Sequence, residues 1–547
     1  MIRRHALPLV IVLAVLVSAL VPLEARRGFE GPTPSRTGQR VPATLYDVEG
    51  VRVHLQEDRP TEAEVAQAQK EDLDHLKKRM PALEHERGDR WPVLVWGNHR
   101  KGGPYAEAMV EAFVERGISP LFNASASIRQ AQSMLPQLKA FRDRGYPLIM
   151  LPQGWVQRAF RFPPDGTACE HLPPAKRETE NRDFTCPGWM MENPAVLTHA
   201  GNTFAVCQYL KQNGIEPAAL FMDYESGVYL RNGAERAERL RPAMEEALKC
   251  PRCLERFGRD RMNTLEKYSA LCEEVRAYTY RIGFVEPVKQ VFPDCRTGNY
   301  YVYPIRRLPF PEDEYPSYGW SGSGMDVAQP RCYFTPGWFG GGGDRKKMNW
   351  NIFYYCMDRF SSCARVLKDD EIMVPWVGYL WGHAAAKKKA ARGNKIAEAD
   401  AYREMAIHTL LRGAETIAVF APGRITRELP EEYKKEDYPR RDLGQYILNV
   451  LDVQQGYDAI LRFNDHLRKG KVLNLETPGE RNVLDGNTAY WSGVGTDERA
   501  LIRTVTFHEP TVKTVEVFDR KVELPFRMKG QFFWVYPNGR VEEIGQE

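Results

Sequence analysis

From Trp91 onward the chain alternates short apolar runs with helical segments, and this alternation constrains the fold more than any other feature of the sequence. "WPVLVWGN" has strand character and is followed by the helical "YAEAMVEAFVERG"; "ISPLFNAS" is followed by "IRQAQSMLPQLKAFRDRG", and "YPLIMLPQG" comes next. Gly117, Gly145 and Gly214 stand where helix C-caps are expected, the last of them ending "LTHAGNTFAVCQYLKQNG" before "PAALFMDYES". Further runs, "VKQVFPDC", "QPRCYFTPG", "EIMVPWVGYLW" and "TIAVFAPG", continue the series less regularly, so candidate strands lie near residues 93, 118, 147, 218, 289, 330, 372 and 416. Eight such units fit an α/β chain folded as a (β/α)8 TIM barrel with loop insertions better than an open doubly wound sheet. No GxGxxG follows the first strand, and Gly340 to Gly343 lack the Lys-Ser/Thr of a phosphate loop.

The flanks read differently. Residues 1–25 hold Arg3 and Arg4, an apolar stretch from Leu7 to Val21 and the small residue Ala25, the pattern of a secretory signal peptide. The expected location is therefore secreted or periplasmic, with no stable membrane insertion once the signal is cleaved. Residues 26–90 are polar, with one charged helical piece, and form an N-terminal extension. Residues 91–469 carry the barrel. Beyond them "TAYWSGVG", "ALIRTVTFH", "VKTVEVFDR" and "QFFWVYPNG" alternate as short strands, so 470–547 is expected to be a small antiparallel β-sandwich.

With 76 basic and 72 acidic residues interspersed, the chain has no nucleic-acid signature. Its ten cysteines, in an exported chain, point to disulfides, with Cys169 and Cys186 as one pair and partners for Cys356 and Cys363 elsewhere. Cys250 and Cys253 form "CPRC", but no second CxxC accompanies it, and His99 and His383 lack a metal-binding spacing. Neither metal nor cofactor is expected.

In a barrel the chemistry gathers at the C-terminal ends of the strands. The acids expected there are Asp223 and Glu225 on the fourth strand and Asp294 on the fifth. Two positions apart on a strand, Asp223 and Glu225 share a face about 7 Å apart. Carboxylates that close push their pKa values apart, leaving one as an acid beside one anion, as glycosidic bond cleavage requires. Trp96, Asn98, Trp155, Trp376, Tyr379 and Trp381 are the candidate sugar-binding residues on the remaining ends.

"FMDYE" resembles the Asp-x-Glu that hyaluronidases and chitinase-like enzymes carry on strand 4 of a barrel, and "VFPDC" resembles the hyaluronidase "FPDC" string. The resemblance implies Glu225 as general acid/base and Asp223 as the residue orienting the substrate's own acetamido group, with Tyr301 or Tyr303 as a further ligand. Arg296 stands where that family has Tyr, and "AVFAPG" lacks its Trp. The function expected is glycoside hydrolysis of a polysaccharide, N-acetylated and acidic glycans being the candidate classes. Two alternatives stand beside it: Asp223 as a direct nucleophile with Asp294 or Asp326 as the acid, and a non-catalytic glycan-binding envelope protein.

Overall fold

The computed structural model describes residues 62–96, 105–122, 127–151, 186–223, 241, 243–304, 319–334, 344–379, 399–420, 443–477 and 479–545. The strands before residue 421 are β1 (Val93–Trp96), β2 (Ile118–Pro120), β3 (Ile149–Met150), β4 (Ala219–Met222), β5 (Arg296–Asn299), β6 (Val327–Ala328), β7 (Arg331–Phe334), β8 (Ile372–Met373), β9 (Trp376–Tyr379) and β10 (Ala418–Phe420). They form two five-stranded parallel sheets, ordered β2-β1-β10-β9-β7 and β3-β4-β5-β6-β8. Parallel bridges Phe122–Met150 and Met373–Ala414 join the two sheets. β6 and β7 are two halves of one run interrupted around Pro330, and β8 and β9 two halves of another interrupted around Pro375. Proline has no N–H to give a ladder, so the pairing breaks at both prolines and resumes beyond them. Followed through these pairings, the strands neighbour one another in chain order, and β10 pairs with β1.

Strand alternation sorts the side chains into two separate cores. Leu94, Ile149, Ala219, Phe221, Val327, Trp376 and Ala418 belong to one cluster, contributed by strands of both sheets. Val93, Met150, Leu220, Met222, Ala328 and Val377, each adjacent in sequence to one of these, belong to the larger cluster shared with the helices. Side chains of period two can make this division only if each strand is covered on both faces.

Seven of the eight expected strand positions coincide with strands. The exception is the fifth: helix Leu265–Tyr280 runs through one π-helical turn, Arg281–Val285, into helix Glu286–Val291, and the strand follows at Arg296. N-terminal to the strands, helix Glu62–Arg79 packs on helix Leu443–Leu461 and on helix Glu107–Glu115.

The C-terminal strands are β11 (Lys471–Val472), β12 (Ala489–Gly495), β13 (Ala500–Thr506), β14 (Thr511–Val517), β15 (Arg520–Phe526), β16 (Gln531–Val535) and β17 (Val541–Ile544). An antiparallel sheet, β11-β12-β13-β16-β17, is faced by the β14-β15 hairpin across Ile502, Val515, Leu524 and Phe533. Its other face, with Tyr490, Leu501, Val505 and Phe532, joins the core of the helices. Every residue of β13 is therefore buried. Polar side chains on this interface are paired: Arg503 Nε donates to Glu404 Oε2 at 3.0 Å, a second guanidinium nitrogen of Arg503 pairs with Glu404 Oε1, and Arg412 donates to Ser492 Oγ.

His408 lies in the same interface, with Nδ1 2.7 Å from Ser492 Oγ. Burial, helped by Arg412 and Arg503, holds its pKa well below the usual histidine value, and burial alone does the same to His199. Both are neutral in the folded chain. Below about pH 6.5 the unfolded chain takes up protons at these positions and the folded chain does not, so stability falls as pH drops, by at most about 1.4 kcal/mol per pH unit for each histidine. Urea midpoints measured between pH 7.5 and 5 should decline, and His408→Gln should flatten part of the decline. A pH-independent midpoint is the result against it.

Candidate functional site

The C-terminal ends of the strands place several of the candidate residues at one mouth of the inner cluster. On β4, Ala219 and Phe221 belong to the inner cluster while Leu220 and Met222 face the helices, so Asp223 follows in the inward position. Its side chain is half-buried. The Met222 carbonyl accepts the Tyr300 N–H at 2.9 Å, which sets Asp223 beside Tyr300 on the next strand. Glu225 lies outside the described residues, as do Asn98, Trp155 and Trp381. Of Tyr379 only the backbone is described, at the end of β9.

An aromatic group closes over the inner core at this end. Trp96 packs on Phe420 with ring centroids 4.4 Å apart, Phe420 on Tyr333 at 4.6 Å, and Tyr333 stacks on Tyr300 at 5.9 Å. Trp96, Phe420 and Tyr333 are half-buried, which leaves part of each ring facing outward. Trp376 lies beneath them, fully buried, its Nε1 donating to Gln329 Oε1 at 3.2 Å. That burial removes Trp376 from the sugar-contacting candidates, because an apolar run read as strand does not reveal which of its aromatic residues sits in the interior.

Arg331 is the charged member of the group. It donates to Tyr300 Oη at 3.0 Å, and its guanidinium carbon lies over the Tyr301 ring, 3.8 Å from the centroid. A guanidinium in this setting is held by an aromatic face and by a hydrogen bond to a phenol, so its position is fixed. Tyr301 adopts φ 67°, a left-handed conformation costly for a side chain of this size, and this turn aims the ring at Arg331. Tyr303 is buried, only 1% exposed, and burial pushes its phenol well above the usual value. It belongs to the helix-side core, so a direct role as a sugar ligand does not fit its position.

Asp294 is not at the C-terminal end of its strand. It occupies the exposed turn between helix Glu286–Val291 and β5, at the opposite end of the strand from Tyr300. Asp326 also precedes its strand. Its carboxylate pairs with Lys289 at 2.9 Å and accepts the Thr297 N–H at 2.6 Å, tying the entry of β5 to that of β6. At about 3.3 Å per residue, five residues separate Asp294 from the level of Asn299 by roughly 16 Å.

Sequence reasoning passed over Tyr300, Arg331 and Phe420. The signal for Arg331 was present: a lone cation two positions before an aromatic in "PRCYF" shares that aromatic's face. Close packing here depends on two glycines. A Cβ on Gly298 would stand 2.7 Å from the Val327 carbonyl oxygen, and one on Gly378 would stand 2.8 Å from that of Phe420. Both contacts are with backbone of the neighbouring strand, so Gly298→Ala should cost about 1 to 3 kcal/mol and lower the urea midpoint accordingly. An unchanged midpoint would show that β5 and β6 are further apart than described here.

No disulfide joins any of the nine described cysteines; Cys169 is outside the described residues. Cys186, expected to pair with Cys169, lies instead with Cys250 and Cys253. Cys356 lies beside Cys332, on helix Arg345–Ala364 and β7 respectively.

No protein-family model matches the sequence, and no curated protein does. Solved structures similar to the chain include an α-amylase from Geobacillus thermoleovorans complexed with acarbose (8% identity, 84% of this chain and 99% of that one, TM-score 0.37). An Anoxybacillus α-amylase gives 9% identity, 84% and 100% coverage and a TM-score of 0.38. A glycoside hydrolase family 30 xylanase from Clostridium acetobutylicum gives 9%, 85%, 92% and 0.30. Likeness this remote carries no argument about what the present chain does, and the functional reading rests on the site itself.

Proposed function

We propose that the ring of parallel strands is a (β/α)8 barrel and that the chain is a secreted glycoside hydrolase acting on a polysaccharide, with Glu225 as general acid/base and Asp223 as its partner. The observation that supports it is the position of Asp223: in the inward register at the C-terminal end of β4, next to Tyr300, whose ring stacks on Tyr333 in the aromatic group that also holds Trp96 and Phe420. A carboxylate at a strand end that also carries an aromatic group suits a pyranose ring, whose apolar face stacks on aromatics while its glycosidic oxygen receives a proton.

In this scheme Glu225 protonates the leaving oxygen. Asp223 orients and charges the group that attacks the anomeric carbon, which in an N-acetylated substrate is the acetamido oxygen. Arg331, fixed by Tyr300 and Tyr301, supplies positive charge near the same mouth and favours a substrate with anionic character. The alternative with Asp223 as nucleophile loses its proposed acids, since Asp294 and Asp326 both precede their strands and Asp326 is engaged by Lys289.

The purified protein should release reducing ends from at least one member of a panel of N-acetylated, uronic-acid-containing and neutral polysaccharides. Retention of a glycan with no product from any of them would instead favour the binding-protein reading.

A further inference from the structure

Away from the strand mouth, three sulfurs converge. Cys186 immediately precedes helix Pro187–Glu192, and Cys250 immediately precedes helix Pro251–Phe257, which contains Cys253. The Cys186 Sγ is 3.4 Å from that of Cys253 and 4.0 Å from that of Cys250, and the three sulfurs all lie within 4.8 Å of one another. All three residues are buried. A tetrahedral zinc ion with Zn–S bonds of about 2.3 Å separates its sulfurs by about 3.8 Å, between the 3.4 and 4.0 Å that Cys186 Sγ makes with the other two. A disulfide engages two sulfurs at about 2.05 Å and would leave the third thiol buried beside it.

The backbone donates hydrogen bonds to the cluster. Trp189 N–H donates to Cys186 Sγ at 3.4 Å, Cys253 N–H to Cys250 and Gly188 N–H to Cys253. Each sulfur thus accepts one main-chain hydrogen bond. Both chain segments enter as Cys-Pro, and the proline at the first helical position turns the following N–H groups back toward the sulfurs. Gly188 allows the two turns to meet, for a Cβ there would stand 2.9 Å from Arg252 Cγ. Three buried thiolates repel one another, so the cluster is stable in that form only around a cation.

We propose that Cys186, Cys250 and Cys253 bind one thiophilic divalent ion, with Zn2+ as the occupant, in a structural site that clips the two short helices together. Water or another small donor completes the tetrahedron. The sequence alone argued against a metal because "CPRC" lacks a second CxxC; the third sulfur comes instead from a single cysteine 64 residues before Cys250.

Full-length protein purified under reducing conditions should contain one zinc per chain by elemental analysis. Zinc X-ray absorption should show three sulfur scatterers at about 2.3 Å, and exchange for Co2+ should give thiolate-to-metal charge-transfer bands. Cys253→Ser should lose the metal and Cys363→Ser should keep it. Because Cys253→Ser removes a ligand that also holds the two helices together, the spectra of the wild-type protein carry the decision. Metal-free protein with a Cys186–Cys253 disulfide in its peptide map would overturn the proposal, as would zinc bound through nitrogen and oxygen alone.

Discussion

Glu225→Gln is expected to lower kcat on an unactivated polysaccharide by roughly 10²- to 10⁴-fold, the range that a positioned general acid contributes. The loss should shrink on aryl glycosides with acidic phenol leaving groups, which depart without a proton. It should also be selective, since glutamine keeps the size of the side chain and its hydrogen-bonding oxygen, leaving KM nearly unchanged. Asp223→Asn should reduce kcat as well, and the loss should persist on activated aryl glycosides, because its role concerns attack and not departure. A thiazoline that mimics the acetamido intermediate should inhibit the wild type and bind Asp223→Asn poorly. Wild-type kcat in Glu225→Gln would sink the assignment of the acid. Thiazoline-insensitive activity would remove the acetamido route and leave the catalytic pair itself standing.

The largest expected effect on stability comes from Glu404→Leu. Both carboxylate oxygens of Glu404 engage Arg503, and Oε1 also accepts the Gly530 N–H at 3.2 Å, all in the interface between helix Ala399–Leu410 and the C-terminal sheet. Removing one partner leaves Arg503 buried without its counter-charge, a loss of about 3 to 5 kcal/mol. The double variant Glu404→Leu/Arg503→Met should recover most of it, because the cost lies in the orphaned charge and not in the absence of the pair. Urea denaturation of the two variants measures this directly. A single-variant loss under about 1 kcal/mol would mean that water reaches Arg503.

Much of the strand order was legible because buried parallel strands are short apolar runs separated by helices with glycine ends. "PVLVWG" and "AALFM" need no further context. The fifth strand was not legible because its sequence, Arg-Thr-Gly-Asn, contains no apolar side chain. Gly298 faces the interior where Gln329 fills the space, while Thr297 and Asn299 are buried toward the helices. "VKQVF" just before it has the better apolar pattern, and the π-helical turn carries it into the preceding helix. That displacement moved Asp294 from one end of the strand to the other.

The candidate site was legible in part. Asp223 could be found because it ends an apolar run, and parity then fixes the face it occupies. The aromatic residues could be found as a group but not sorted: Trp96 and Trp376 read alike in sequence, while one reaches the mouth and the other lies in the core. The three-cysteine cluster depends on contacts between segments far apart in the chain, which spacing rules built on local CxxC pairs do not detect.

The burial of both faces of the C-terminal sheet has a consequence for how this chain can be divided. A module attached by a linker can be removed, transplanted or lost by gene deletion while the remainder keeps working. Here β13 is covered by the hairpin on one side and by helices Arg345–Ala364 and Ala399–Leu410 on the other. Removing residues 470–547 would strip the cover from Phe353 and His408, whose rings pack against Tyr490 at 5.3 Å and 5.7 Å. A chain cut at residue 470 is therefore expected to expose part of the core of what remains, and the two parts are not separable modules.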